Sequence, residues 1–116
     1  MSALTFDLEI EQGIPYEMVF VVKNPDGSLK DLTGFSARMQ FRVSYSAASA
    51  SLEATTLNSK LVINTLNSTC KISLTESDTQ SLTYSKYVYD LELVDSTSKP
   101  TRLVMGKVTI SPEVTK

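Results

Sequence analysis

Along most of this chain apolar and polar residues alternate, the signature of strands with one face turned to a core. The clearest run is Phe35–Val43. Phe35, Ala37, Met39, Phe41 and Val43 fall on one face, and Ser36, Arg38, Gln40 and Arg42 on the other. A helix would scatter those apolar residues around its circumference, so the period predicts a strand. Leu4–Glu11 alternates in the same way, with Leu4, Phe6, Leu8 and Ile10 opposite Thr5, Asp7, Glu9 and Glu11. Tyr16–Lys23 is more evenly apolar, as expected of a strand covered on both faces. Thr69–Leu74 places Cys70, Ile72 and Leu74 on one face, and short strands are predicted at Leu52–Ala54 and Leu61–Ile63. Near the end, Tyr87, Tyr89, Leu91 and Leu93 share a face opposite Val88, Asp90 and Glu92. That run and Arg102–Ile110 flank the polar connector Asp95–Pro100, which predicts a β-hairpin.

The breaks between these runs have recognisable chemistry. Gly13 and Pro15 end the first strand. In Asn24-Pro25-Asp26-Gly27 the proline presets φ and the glycine closes the turn. Asp31-Leu32-Thr33-Gly34 leads into the Phe35 strand, and Asn64–Ser68 is a further turn. Ser44–Ser51 is small and polar, and reads as a mobile loop. Thr75–Leu82 changes character. Thr75 can cap a helical turn whose first residues, Glu76 and Asp78, suit the helix dipole, so one short helix or 3₁₀ turn is expected over 75–82. Gly106, inside the last strand, predicts a bulge or a close backbone approach. The sum is about seven or eight strands spaced roughly a dozen residues apart, the spacing of an all-β, immunoglobulin-like antiparallel β-sandwich. At 116 residues, one domain spanning 1–116 is expected.

Composition sharpens this picture and removes most chemistry from it. Ser and Thr make up about a quarter of the chain, which favours strands and turns over helix. There is no His and no Trp, and Cys70 is the one cysteine. A Ser or Cys nucleophile therefore lacks its usual base, zinc lacks its usual ligands, and the four dispersed glycines form no phosphate loop. The expectation is a protein that is not an enzyme and takes no cofactor. Cys70 reads as a small buried hydrophobe. A net charge of −2 with no basic stripe argues against nucleic acid. No run approaches the length of a membrane span, and the acid-bearing N-terminus does not read as a signal peptide, so folding in the cytoplasm of the producing cell is expected. Asp7, Glu9 and Glu11 form a row that could meet a hard cation or a basic partner, although a solvated face is the plainer reading. Arg38 and Arg42 are a complement to that row if copies pack in a ring. Asp90 and Glu92 read as an exposed strand face, Asn67-Ser68-Thr69 as a turn, and Tyr84, Tyr87 and Tyr89 as core with a hydroxyl reaching a partner.

Two segments carry a resemblance: FDLEIEQGIPYEMVFVVKNPDGSLKDLTGFSARMQFR and YVYDLELVDSTSKPTRLVMGKVTISPEVT. The elements are Gln12-Gly13, Asp31–Gly34, Ala37-Arg38 with Arg42, Tyr89–Leu93 and Arg102–Thr115. Together they resemble a family of small bacteriophage proteins and domains, similar to the N-terminal domain of upper-baseplate and tail-fibre proteins. The resemblance covers most of the chain outside 44–68. It implies a β-sandwich and a structural role that attaches one virion part to another. Because the sequence ends at Lys116 directly after PEVT, without a shaft, it implies an adaptor in the tail, baseplate or fibre-attachment region. The expected partners are other phage structural proteins, in multiple copies, in a virion protein made in the host cytoplasm. A capsid decoration protein and a carbohydrate-binding module are the alternatives. The contact residues expected from the sequence are Asp7, Glu9, Glu11, Arg38 and Arg42, with the 44–51 loop and its Tyr45.

Overall fold

A computed structural model describes residues 4–115. Nine strands and one helix follow in order: β1 (Leu4–Thr5), β2 (Leu8–Glu11), β3 (Tyr16–Val21), β4 (Ser36–Arg42), β5 (Leu52–Thr55), β6 (Leu61–Asn64), β7 (Thr69–Leu74), α1 (Glu76–Gln80), β8 (Lys86–Val94) and β9 (Pro100–Ser111). They form two sheets. The larger runs β1-β9-β8-β4-β5, with β2 following β1 along the same flank of β9, and the smaller runs β3-β7-β6. Strand β3 thus lies in the small sheet, β4 and β5 in the large, β6 and β7 in the small, and β8 and β9 in the large. That alternation is the immunoglobulin-like order.

The core is built by the alternation itself. Ala37, Met39 and Phe41 from β4, and Tyr87, Tyr89, Leu91 and Leu93 from β8, are buried. So are Leu8 and Ile10 from β2, Cys70, Ile72 and Leu74 from β7, and Val104, Val108 and Ile110 from β9. Burying each large side chain of this kind stabilises by about 1.5–3 kcal/mol. Tyr87, at the start of β8, accepts a hydrogen bond from the Tyr84 N–H at 3.0 Å. It serves as the tyrosine corner of an immunoglobulin-like fold.

The turns behave as their residues require. Asp26, Asp31 and Asp95 each accept from the backbone N–H and the hydroxyl of the Ser or Thr two residues on. Gly27 and Gly34 supply the positive φ that these turns need. Helix α1 carries a full capping box, with Thr75 accepting from the Asp78 N–H and Asp78 from the Thr75 N–H.

Five expectations are corrected. The opening segment is one strand in pattern but two in structure, broken at Phe6–Asp7, so only Leu8 and Ile10 are buried while Leu4 and Phe6 lie exposed. The large sheet is mixed rather than wholly antiparallel, because β1 and β2 run parallel to β9. Strand β3 is covered on one face only, with Val19 and Val21 each 53% exposed on the other. Val43, beyond the end of β4, and Tyr84, ahead of β8, are exposed rather than in the core, while Tyr87 and Tyr89 are buried as expected.

Candidate functional site

The residues expected to make contacts fall in two places. Arg38, Arg42 and Tyr45 stand on the outer face of the large sheet; Asp7, Glu9 and Glu11 stand at its β2 edge. On the outer face, strand parity brings Arg38, Gln40 and Arg42 from β4 beside Glu53 from β5 and Val88, Asp90 and Glu92 from β8. Arg38 lies directly opposite Glu92 and pairs with it at 2.7 Å. Arg102 reaches Asp90 at 3.3 Å, and Gln40 donates to Glu53 at 2.6 Å. Exposed pairs of this kind each contribute only about 0.2–1 kcal/mol, so they set a charge pattern more than they hold the sheet.

Arg42 has a different task. Its Nη1 donates to the Ala47 carbonyl at 2.7 Å, and its Nε and Nη2 grip Gln40 Oε1. The guanidinium therefore ties the 44–51 loop to the sheet. Tyr45, 72% exposed, projects from that loop. It helps to line a shallow concavity of about 370 Å³ together with Arg42, Asp90, Glu92, Arg102 and Met105. Asp90 and Glu92 are each held by a guanidinium there, which suits a recognition surface better than acid–base chemistry.

At the β2 edge the acidic row is divided. Asp7 Oδ1 accepts the Lys107 N–H at 2.9 Å, so this carboxylate stitches the strand break to β9. Glu9 and Glu11 remain exposed along β2. Among the described residues, no group of three or more His, Cys, Asp or Glu is placed to hold a metal ion. Cys70 is fully buried, and burial pushes its thiol up to about 11, so it presents no ready thiolate.

The elements that carried the resemblance are those that close the fold. Gln12 Nε2 donates to the carbonyls of Gln80 and Leu82, and its Oε1 accepts the Glu113 N–H at 3.1 Å. The Gly13 N–H donates to Thr79 Oγ1 at 3.0 Å. The Gln-Gly step and the Pro-Glu-Val-Thr end thus meet at one pole, around α1. At mid-sheet, Tyr89 donates its hydroxyl to the Phe6 carbonyl across Gly106. Composition and spacing could not reveal this, since its three partners are scattered along the chain. Glu53 and Arg102 carry no signal in the sequence, and Asp90 and Glu92 read there as an exposed strand face; only the pairing of β4 with β8 sets them beside Arg38 and Gln40.

Neither the family models nor the curated proteins compared with this chain give a match.

Proposed function

We propose that this chain is a structural protein of a tailed bacteriophage particle, an adaptor in the tail, baseplate or fibre-attachment region. The observation that carries the reading is the role of the resembling residues. Gln12, Gly13, Gly106 and Glu113 lock the opening strand, α1 and the chain end into one closed sandwich. A sequence pattern spent on closure fits a building block whose task is to hold shape and present surfaces. Those surfaces are a charged outer sheet face, with its cross-strand pairs, and strand edges left open to a neighbour. Assembly then proceeds by surface matching and strand addition, with copies following the symmetry of the particle.

Electron cryomicroscopy of the intact particle tests this directly. Density for the chain in the tail, baseplate or fibre collar is expected. Density on the capsid lattice would put decoration in its place, and absence from the particle would overturn both. One observation favours a second reading, carbohydrate binding: Tyr45 stands exposed beside the Asp90–Glu92 concavity. Saturation-transfer NMR with a panel of simple glycans, compared with Tyr45→Ala, tests it. No transfer to any glycan removes that reading.

A further inference from the structure

One flank of the sandwich is an open seam between the two sheets. The large sheet ends there in β1 and β2, which among the described residues pair only with β9. The small sheet ends in β3, which pairs with β7 on one side and, among the described residues, with no strand on the other. Among the described residues, the side of the Tyr16–Val21 backbone turned away from β7 has no strand partner and is a template for another strand. Phe6 and Phe20, packed edge to face at 6.0 Å, bridge the seam at its middle. A concavity opens at each end of β3. The one beside Tyr16, of about 500 Å³, is lined by Glu9 and Glu11 and by no basic residue. The one beside Val21, of about 460 Å³, is largely apolar (Leu4, Phe20, Phe35, Leu103), carries Lys23 and Lys30, and is lined by no carboxylate; Arg102, also in its wall, is already paired with Asp90. Asp26, Asp31 and Glu17 do not line it: Asp26 and Asp31 hold Ser28 and Thr33, with Asp31 also attracted to Lys30, and Glu17 is paired with Lys71. The seam is therefore acidic at one end and basic at the other, with apolar residues between.

We propose that this seam binds a second copy of the chain, β3 against β3, antiparallel about a twofold axis near Met18 and Val19. Antiparallel pairing sets the acidic end of each copy against the basic end of the other, so Glu9 and Glu11 meet Lys23 and Lys30 twice. Parallel pairing would set like charges together. The two small sheets become one continuous sheet, β6-β7-β3-β3-β7-β6. Because the interface is isologous, it consumes both β3 edges and closes at a dimer instead of growing into a fibre. The inference rests on the edge and its charges, whichever particle or surface the chain serves.

The test is a charge exchange read by sedimentation equilibrium. The wild-type chain is followed from about 1 μM to 1 mM at low salt, the range in which modest interfaces equilibrate. A monomer–dimer equilibrium is expected. Glu9→Lys/Glu11→Lys makes both ends basic, and Lys23→Glu/Lys30→Glu makes both acidic. Each variant alone should dimerise at least tenfold more weakly. An equimolar mixture should recover the wild-type affinity to within about threefold, because every contact is again between opposite charges. Circular dichroism checks that the variants are folded. Should either be unfolded, hydrogen exchange of the wild type decides, with Tyr16–Val21 amides expected to gain protection as concentration rises. A monomer throughout the range, a dimer indifferent to both reversals, or a dimer whose gained protection lies outside β3 would overturn the proposal.

Discussion

Gly106 has no side chain because the backbone of Phe6 fills the space that one would need. A Cβ there would lie 2.3 Å from the Phe6 carbonyl oxygen and 2.9 Å from Asp7 Oδ1. Gly106 also stands opposite Tyr89 on the buried face, so the tyrosine can cross it and donate to that same Phe6 carbonyl. One glycine thus admits both a close strand and a buried hydroxyl. Gly106→Ala should cost about 1–3 kcal/mol, the range for overpacking, because the obstructing atoms are backbone. Tyr89→Phe should cost about 1 kcal/mol by removing the donor. The two effects act through one carbonyl, so the double variant should lose less than their sum. Urea denaturation of the four proteins checks this, and strict additivity would show that the glycine and the tyrosine act on separate features.

At the scale of elements, α1 is too short to hold itself and is held by its first turn. Asp78 Oδ2 accepts from the Thr75 N–H at 2.9 Å and from Lys60 Nζ at 2.6 Å. Burial alone would raise this carboxyl, but Lys60 and the Thr75 N–H outweigh it and hold it below the ordinary aspartate value. A carboxylate depressed in the folded state binds its proton more weakly there than in the unfolded chain. Its stabilisation is therefore complete above the unfolded value, near 3.9, and is lost as pH falls through the lower folded value. Asp78→Asn keeps an acceptor for the cap and removes the charge. It should cost about 1 kcal/mol at pH 7, with the gap closing as pH falls through the lowered folded-state value. Urea midpoints from neutral to acid pH measure it, and a constant gap would assign the loss to shape instead of charge. The cap itself was legible, since Thr75, Glu76 and Asp78 announce it locally. So were β4, β7 and β8, whose period of two matches their burial. The break at Phe6–Asp7 was not legible, because the residue it packs against, Gly106, stands a hundred residues away in sequence. The bare outer face of β3 was hidden too, since Val19 and Val21 read alike whether covered or open. Parity placed Arg38 and Arg42 on one face correctly. It could not show that Glu92 and the Ala47 carbonyl already engage them.

For the whole molecule, the connection that matters most joins the two ends of the chain. Leu4 pairs with Val104 and Leu8 with Val108, so the opening strands complete the sheet that the last strand began. Leu8 and Ile10 are each 1% exposed, and losing either to alanine would cost about 2–5 kcal/mol. Together those losses are comparable with the whole stability of an ordinary domain, about 5–15 kcal/mol. Removing residues 1–11 should therefore leave a chain without cooperative unfolding, with β9 exposed as an edge. The lost strands are short and contiguous, and no other described strand lies between them and β9. A synthetic peptide of residues 1–12 should consequently restore a cooperative transition when added in excess, with a midpoint that rises with peptide concentration as mass action requires. Pairing in trans forgoes only the advantage of a tether, since the groove beside β9, the space over Gly106 and the Tyr89 hydroxyl all belong to the larger fragment. Near-ultraviolet circular dichroism of the tyrosines follows the recovery. Peptide carrying Leu8→Asp and Ile10→Asp should fail, because its backbone could still pair but its side chains could not enter the core. If that peptide restored the fold as well as the native one, backbone pairing at the β9 edge would be the source of the stability and the buried pair would not.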